Sequence, residues 1–193
     1  MNRRTLIRCL SGMALALAFG LAASASWIHV KAALAQVLLE RAWIASDHGS
    51  KPVPPWPWAD IAPLARLQIP RLGTDLIVLD NDSGQALAFG PGWTPHSAAP
   101  ATYGITIISA HRDTQFSVLQ QLKLGDRIEV NGAAGQRAYV VSNMQVLDSR
   151  RARLPNAHAG DALLLVTCYP FDAIVPGGPL RYVVEADPVN HDI

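Results

Sequence analysis

The 193-residue chain is poor in charge and nearly devoid of cysteine. Charged residues make up 16% of it and the formal net charge is +1, so there is no clustered basic footprint with which to hold a nucleic acid. Of its two cysteines, Cys9 falls in an apolar run near the start, and Cys168 is the one thiol of the folded part. That excludes an internal disulfide framework. The six histidines are scattered and match no metal-ligand spacing. No cluster of carboxylates suits calcium either, so neither a metal nor a cofactor is expected.

Half of the residues are hydrophobic, enough to bury the core of one compact domain with appendages. Fourteen prolines and fourteen glycines, spread along the chain, predict many short strands joined by turns. Arg3, Arg4 and Arg8 precede an uncharged stretch from Cys9 to Ile28. Twenty helical residues rise about 30 Å, which spans the hydrocarbon core of a bilayer. With the arginines ahead of that run, residues 1–30 read as a cytoplasmic start and a transmembrane anchor. The triplet Ala23-Ser24-Ala25 leaves a cleavable signal peptide as the rival, and both readings export the remainder. The expected location is the inner membrane, with a single pass and the folded domain on the extracytoplasmic side.

Residues 31–63 read as a helical stem, with Leu34, Val37, Leu38 and Arg41 at helical spacing, and then a linker. Between Ser50 and Pro63 stand five prolines together with Trp56 and Trp58, which no regular helix or central strand tolerates. This stretch is expected to be a semi-rigid spacer, its tryptophans available to pack on the domain. Residues 64–193 then carry the candidate strands Ala65–Ile69, Leu76–Asp80, Gly104–Ala110, Arg127–Asn131, Arg137–Met144, Asp161–Cys168 and Leu180–Ala186. Short helices are predicted at Gly84–Phe89 and Phe116–Leu122, and a turn at Gly90-Pro91-Gly92. Many strands with few helices point to a sandwich or a closed barrel, with the barrel preferred.

Three segments carry the chemistry. Cys168 ends the apolar run Ala162–Thr167, so on a buried strand it emerges at the rim, where catalytic residues gather. The competing reading is one more inert core cysteine. His111 follows the apolar strand Gly104–Ala110 and opens the polar group His111, Arg112, Asp113, Thr114, a site or a solvated turn. Arg181 begins the last strand, sharing a face with Val183 and Glu185. By itself it is an ordinary solvent-facing arginine. The short return through Pro176–Pro179 sets it beside Cys168 if the two strands are neighbours.

Taken together, these segments resemble the sortase family. Leu165-Val166-Thr167-Cys168 matches its Leu-x-Thr-Cys motif, His111-Arg112 its mid-barrel His-Arg pair, and Arg181 its final-strand arginine. The Trp-Pro-Trp-Ala segment at 56–59 is similar to the Gram-negative branch, whereas Ala110 stands where many sortases have glycine. The resemblance implies a mostly β fold, a closed eight-stranded barrel with short helices behind the membrane helix. It implies Cys168 as nucleophile, His111 as general acid and Arg181 as oxyanion or backbone donor, with Val166 and Thr167 contacting substrate. The reaction it implies is cleavage of a Leu-Pro-x-Thr-Gly-type C-terminal sorting signal on an exported protein and transfer of the acyl fragment to an amine. Free thiols and imidazoles, with reference pKa values near 8.5 and 6.5, form a thiolate–imidazolium pair only about one per cent of the time at pH 7, so neighbouring positive charge is needed. Two alternatives stand. An L,D-transpeptidase has Ser/Thr-His-Gly-Cys around its nucleophile, unlike Val166-Thr167-Cys168-Tyr169. A non-catalytic, membrane-tethered β-domain would use Cys168 for packing.

Overall fold

A computed structural model describes residues 34–155, 158–173 and 177–189. The chain divides into the units Met1–Val37 and Leu38–Ile193, and the second contains every strand found among the described residues. The expected membrane segment, 9–28, lies outside the described residues. Among the described residues no helix is long and apolar enough to cross a membrane.

Eight strands follow one another: β1 (Pro63–Ile69), β2 (Thr74–Leu79), β3 (Gly92–Trp93), β4 (Ile105–Ser109), β5 (Arg127–Gly132), β6 (Gly135–Asp148), β7 (Ala162–Cys168) and β8 (Leu180–Pro188). They close into a barrel in the order β1-β2-β3-β4-β7-β8-β6-β5, so the eight-stranded barrel expected from the resemblance is the fold observed. All pairs are antiparallel except β2–β3 and β4–β7.

The period-2 alternation that marks a half-buried strand sets which side chains fill the interior. In β1 every second residue is buried, and Ala65, Leu67 and Ile69 join Val78, Ile108, Ile128, Val130, Tyr139, Val141, Leu163, Leu165, Val184 and Ala186 inside. The 3₁₀ segment Gln115–Gln121 adds fully buried Phe116 and Leu119 to the same core.

Two differences from the sequence expectation have physical causes. Gly90-Pro91-Gly92, expected as a turn, delivers Gly92 into the two-residue strand β3, between Leu79 and Ser109. A Cβ there would meet the Asn81 carbonyl oxygen at 2.2 Å, so only glycine allows that approach. Strand β6 runs past the expected Met144 to Asp148, because backbone pairing with β8 resumes beyond a register shift at Val141–Asn143.

The Pro/Trp stretch, expected as a semi-rigid spacer with tryptophans able to pack on the domain, packs through Trp56. A helix over 34–45 precedes it. Leu39, Trp43 and Ile61 pack with Ile77, Leu79 and Ala86 in a second apolar cluster, which Trp56 joins with its ring 5.1 Å from that of Phe89. Trp58 takes no such part and is 79% exposed. Arg66 of β1 fastens the arrangement: its guanidinium donates to Asp75 at 2.6 Å and to Glu40 at 2.8 Å.

Candidate active site

Because β4 and β7 are parallel neighbours, with Ser109 opposite Val166, their C-terminal ends reach the same rim. Strand β8 starts at that rim and runs back antiparallel, which sets Arg181 directly opposite Cys168. Alternation then sorts the faces. Leu163, Leu165 and Val184 point into the barrel, whereas Ile105, Ile107, Ala162, Leu164, Val166 and Val183 form a cluster on the other face. Cys168 and Arg181 continue the rows of Val166 and Val183.

A cleft of about 200 Å³ lies at this rim, and Leu87, Ser109, His111, Val166, Cys168 and Arg181 line it. His111, Arg112, Asp113 and Gly177 border Cys168 around a further cavity of about 190 Å³. An adjoining apolar cavity, also about 190 Å³, is walled by Leu147, Ala152, Leu154, Val166 and Val183 and reaches Arg181. The three candidate residues, some 57 and 13 positions apart along the chain, therefore share one surface. Cys168 is a free, half-buried thiol and His111 is exposed.

Each candidate is braced by its own backbone neighbours. Thr167, expected to contact substrate, is 2% exposed and donates its hydroxyl to the Ala110 carbonyl at 2.7 Å. That bond joins the ends of β4 and β7; Thr167 also lines the cleft, as does Val166, whose side chain belongs to the outer apolar cluster. The His111 carbonyl accepts from the Phe116 N–H at 3.0 Å. Arg181 donates through Nη1 to the carbonyls of Gly178 at 2.7 Å and Leu180 at 2.9 Å. Its Nε and Nη2 have no acceptor among the described residues, which leaves the other half of the fork for a ligand. Arg112, by contrast, is 7% exposed and bonds to Asp113 and to the carbonyls of Pro170 and Ala173.

Ser109 of the cleft was not singled out from sequence. It sits two residues before His111, and the alternation rule alone puts both on one face. Thr94 Oγ1 lies 2.7 Å from Asp82 and 3.4 Å from the Ser109 hydroxyl. A carboxylate only accepts, so the Thr94 proton goes to Asp82 and Ser109 is the donor in the longer contact. Ser149 and Ala152, in the segment after β6, line the apolar cavity too. Arg150 hydrogen-bonds to the Asp148 carboxyl and holds its pKa down to about 2. Trp93, Phe171 and Tyr169 pack on the barrel. Trp93 donates to the Ala98 carbonyl at 2.9 Å, and Tyr169 and Phe171 lie against Tyr182, whose hydroxyl burial pushes up in pKa. Among the described residues no three His, Cys, Asp or Glu side chains gather as metal ligands would.

Chemically, the cleft offers a free thiol, an imidazole and a fixed cation with spare donors. The model of the sortase domain family matches residues 67–189. The chain is 29% identical over 119 residues to sortase D of Bacillus subtilis (strain 168), covering 61% of this chain and 60% of that protein. It thus spans about three fifths of the length of the curated relative it matches. In fold it is similar to sortase A from Corynebacterium diphtheriae, with a TM-score of 0.60 and 23% identity over 70% of this chain and 64% of that one. A sortase D5 transpeptidase of Clostridium perfringens gives a TM-score of 0.59 and 20% identity over 67% and 80% of the two chains.

Proposed function

The chain belongs to the sortase family, and on that premise we propose that it is a cysteine transpeptidase acting on a C-terminal sorting signal of the Leu-Pro-x-Thr-Gly type. The observation that carries this reading is the single cleft lined by His111, Cys168 and Arg181. Only a half-buried thiol that substrate can reach, beside an imidazole and a guanidinium, makes a peptide-cleaving thiolate useful.

In this mechanism the Cys168 thiolate attacks the scissile carbonyl carbon and forms the C–S bond. Charge that develops on the carbonyl oxygen meets the spare donors of Arg181. His111, as imidazolium, gives its proton to the departing amine as the C–N bond breaks. A thioester on Cys168 remains. An acceptor amine then attacks that carbonyl, returns a proton to His111 and releases the thiolate. The apolar wall of Leu147, Leu154, Val166 and Val183 suits the leucine and proline of such a signal, because these side chains gain by leaving water and need no hydrogen-bond partner. The donor substrate is an exported protein bearing the signal at its C-terminus.

The same reading extends to location. Arg3, Arg4 and Arg8 ahead of the apolar residues 9–28 support an inner-membrane anchor with the barrel on the extracytoplasmic side. The Trp-Pro-Trp-Ala segment at 56–59 supports the Gram-negative branch of the family. Incubating the purified protein with a Leu-Pro-Ala-Thr-Gly peptide and recording intact mass tests the chemistry. An acyl adduct on Cys168 is expected, and a Cys168→Ala protein that still cleaves the peptide would refute the proposal. For location, membrane fractions should retain the full chain and lose it when residues 9–28 are deleted.

A further inference from the structure

Arg112 has no part in the mechanism above, yet it is the most heavily committed charge near the cleft. Its guanidinium is 7% exposed. Burying a cation costs several kcal/mol unless hydrogen bonds replace its water. Three do so: Nε donates to Asp113 Oδ1 at 3.0 Å, Nη1 to the Pro170 carbonyl at 2.8 Å and Nη2 to the Ala173 carbonyl at 2.6 Å. Asp113 is 69% exposed, so water weakens its share, and the two carbonyls are the main partners.

Those carbonyls are informative by position. Pro170 and Ala173 follow the nucleophile, and Arg112 follows the histidine. The planar fork therefore ties the segment after Cys168 to the segment after His111. One residue ahead of each, Thr167 ties the same two strands together through the Ala110 carbonyl. The thiol and the imidazole are thus held between two cross-links, one on either side. Phe171, between the two carbonyls, packs its ring 5.3 Å from that of Tyr182 and keeps the loop on the barrel. We propose that Arg112 is a positioning residue, whose hydrogen bonds to Pro170 and Ala173 set the separation of Cys168 from His111. It touches no substrate. Its effect belongs to the chemical step and not to binding, because Arg112 lines the cavity beside His111 and Cys168 and takes no part in the apolar wall of Leu147, Leu154, Val166 and Val183. This inference rests on the transpeptidase reading, and its test separates the two.

The wild-type chain, Arg112→Ala and Arg112→Lys are compared in three measurements: urea unfolding, steady-state cleavage of a quenched fluorescent Leu-Pro-Ala-Thr-Gly peptide, and the rate at which iodoacetamide alkylates Cys168 at pH 7. Displacing reacting groups by an ångström costs about 100-fold, so kcat of Arg112→Ala should fall by about that factor. Its KM should stay within about threefold of wild type, since lost positioning appears in kcat. Lysine keeps the charge without the fork and should recover only part of kcat. Alkylation should slow several-fold in Arg112→Ala, in a readout that needs no peptide. Loss confined to KM, a wild-type kcat in either folded variant, or two variants that both fail to fold would overturn the proposal, the last by making Arg112 a folding determinant only. If wild-type protein neither cleaves nor becomes acylated, the transpeptidase reading fails, and the alkylation arm still judges the brace.

Discussion

The two faces of β7 are built from similar residues and serve opposite ends. Leu163 and Leu165 face inward and are fully enclosed by the barrel core. Leu164 and Val166 face outward into the apolar cluster with Ile105, Ile107 and Val183, and Val166 of that cluster lines the cleft with Cys168. An apolar row beside an open cavity forms a binding wall, and the same row packed on all sides stabilises the fold. Both rows are buried, and what separates them is the open cavity that borders the outer one, which hydropathy alone does not record.

This contrast predicts a division of effects. The largest belongs to the outer face: Cys168→Ala should abolish acyl-adduct formation by intact mass and leave the urea midpoint close to wild type. Arg181→Ala should raise the barrier by about 3–4 kcal/mol, read as a fall in kcat with a smaller change in KM. Unchanged turnover would remove Arg181 from the transition state. On the inner face, Leu165→Ala should cost about 2–5 kcal/mol of stability by urea unfolding, because a closed core cannot collapse around the cavity. Val166→Ala, its outward neighbour, should lose less stability and raise KM for the peptide; equal stability losses at the two positions would erase the distinction between the faces.

Thr167→Val tests the seam between the faces. It strands the buried Ala110 carbonyl and should cost about 1–3 kcal/mol, together with a drop in kcat as the end of β4 loosens beside His111. The smallest effect lies away from the site. Arg71 hydrogen-bonds to Asp126, which is 8% exposed, and holds its carboxyl below the usual carboxylate range. A depressed carboxyl pKa adds stability above the unfolded value of about 3.9 and loses it as pH falls through the folded value. Wild type should therefore exceed Asp126→Asn in urea midpoint at pH 6, and the gap should close progressively below about pH 4. A gap that is independent of pH would show that the ion pair contributes nothing through its charge.

Much of the site was legible before any coordinates. Residues Leu165–Cys168 announce a buried strand ending in a thiol, and His111 and Arg181 stand at equivalent strand ends. Alternation along β8 put Arg181 and Val183 on one face, as observed. Less legible were Ser109 and the wall residues Leu147 and Leu154. Each depends on which segments become neighbours. The Gly92 bridge was hidden because glycine and proline signal a turn equally well when they permit a close strand crossing.

Local pattern determined the strands, the face each side chain takes and the residue types able to do thiol chemistry, since period and polarity are properties of a few consecutive residues. The tertiary structure decided which ends meet. The bonds that fix the site, Thr167 to Ala110 across 57 residues and Arg112 to Ala173 across 61, join segments whose approach is set by barrel closure. A hydrogen bond reaches only about 3 Å, so such partners are specified by the path of the whole chain and not by any stretch of it.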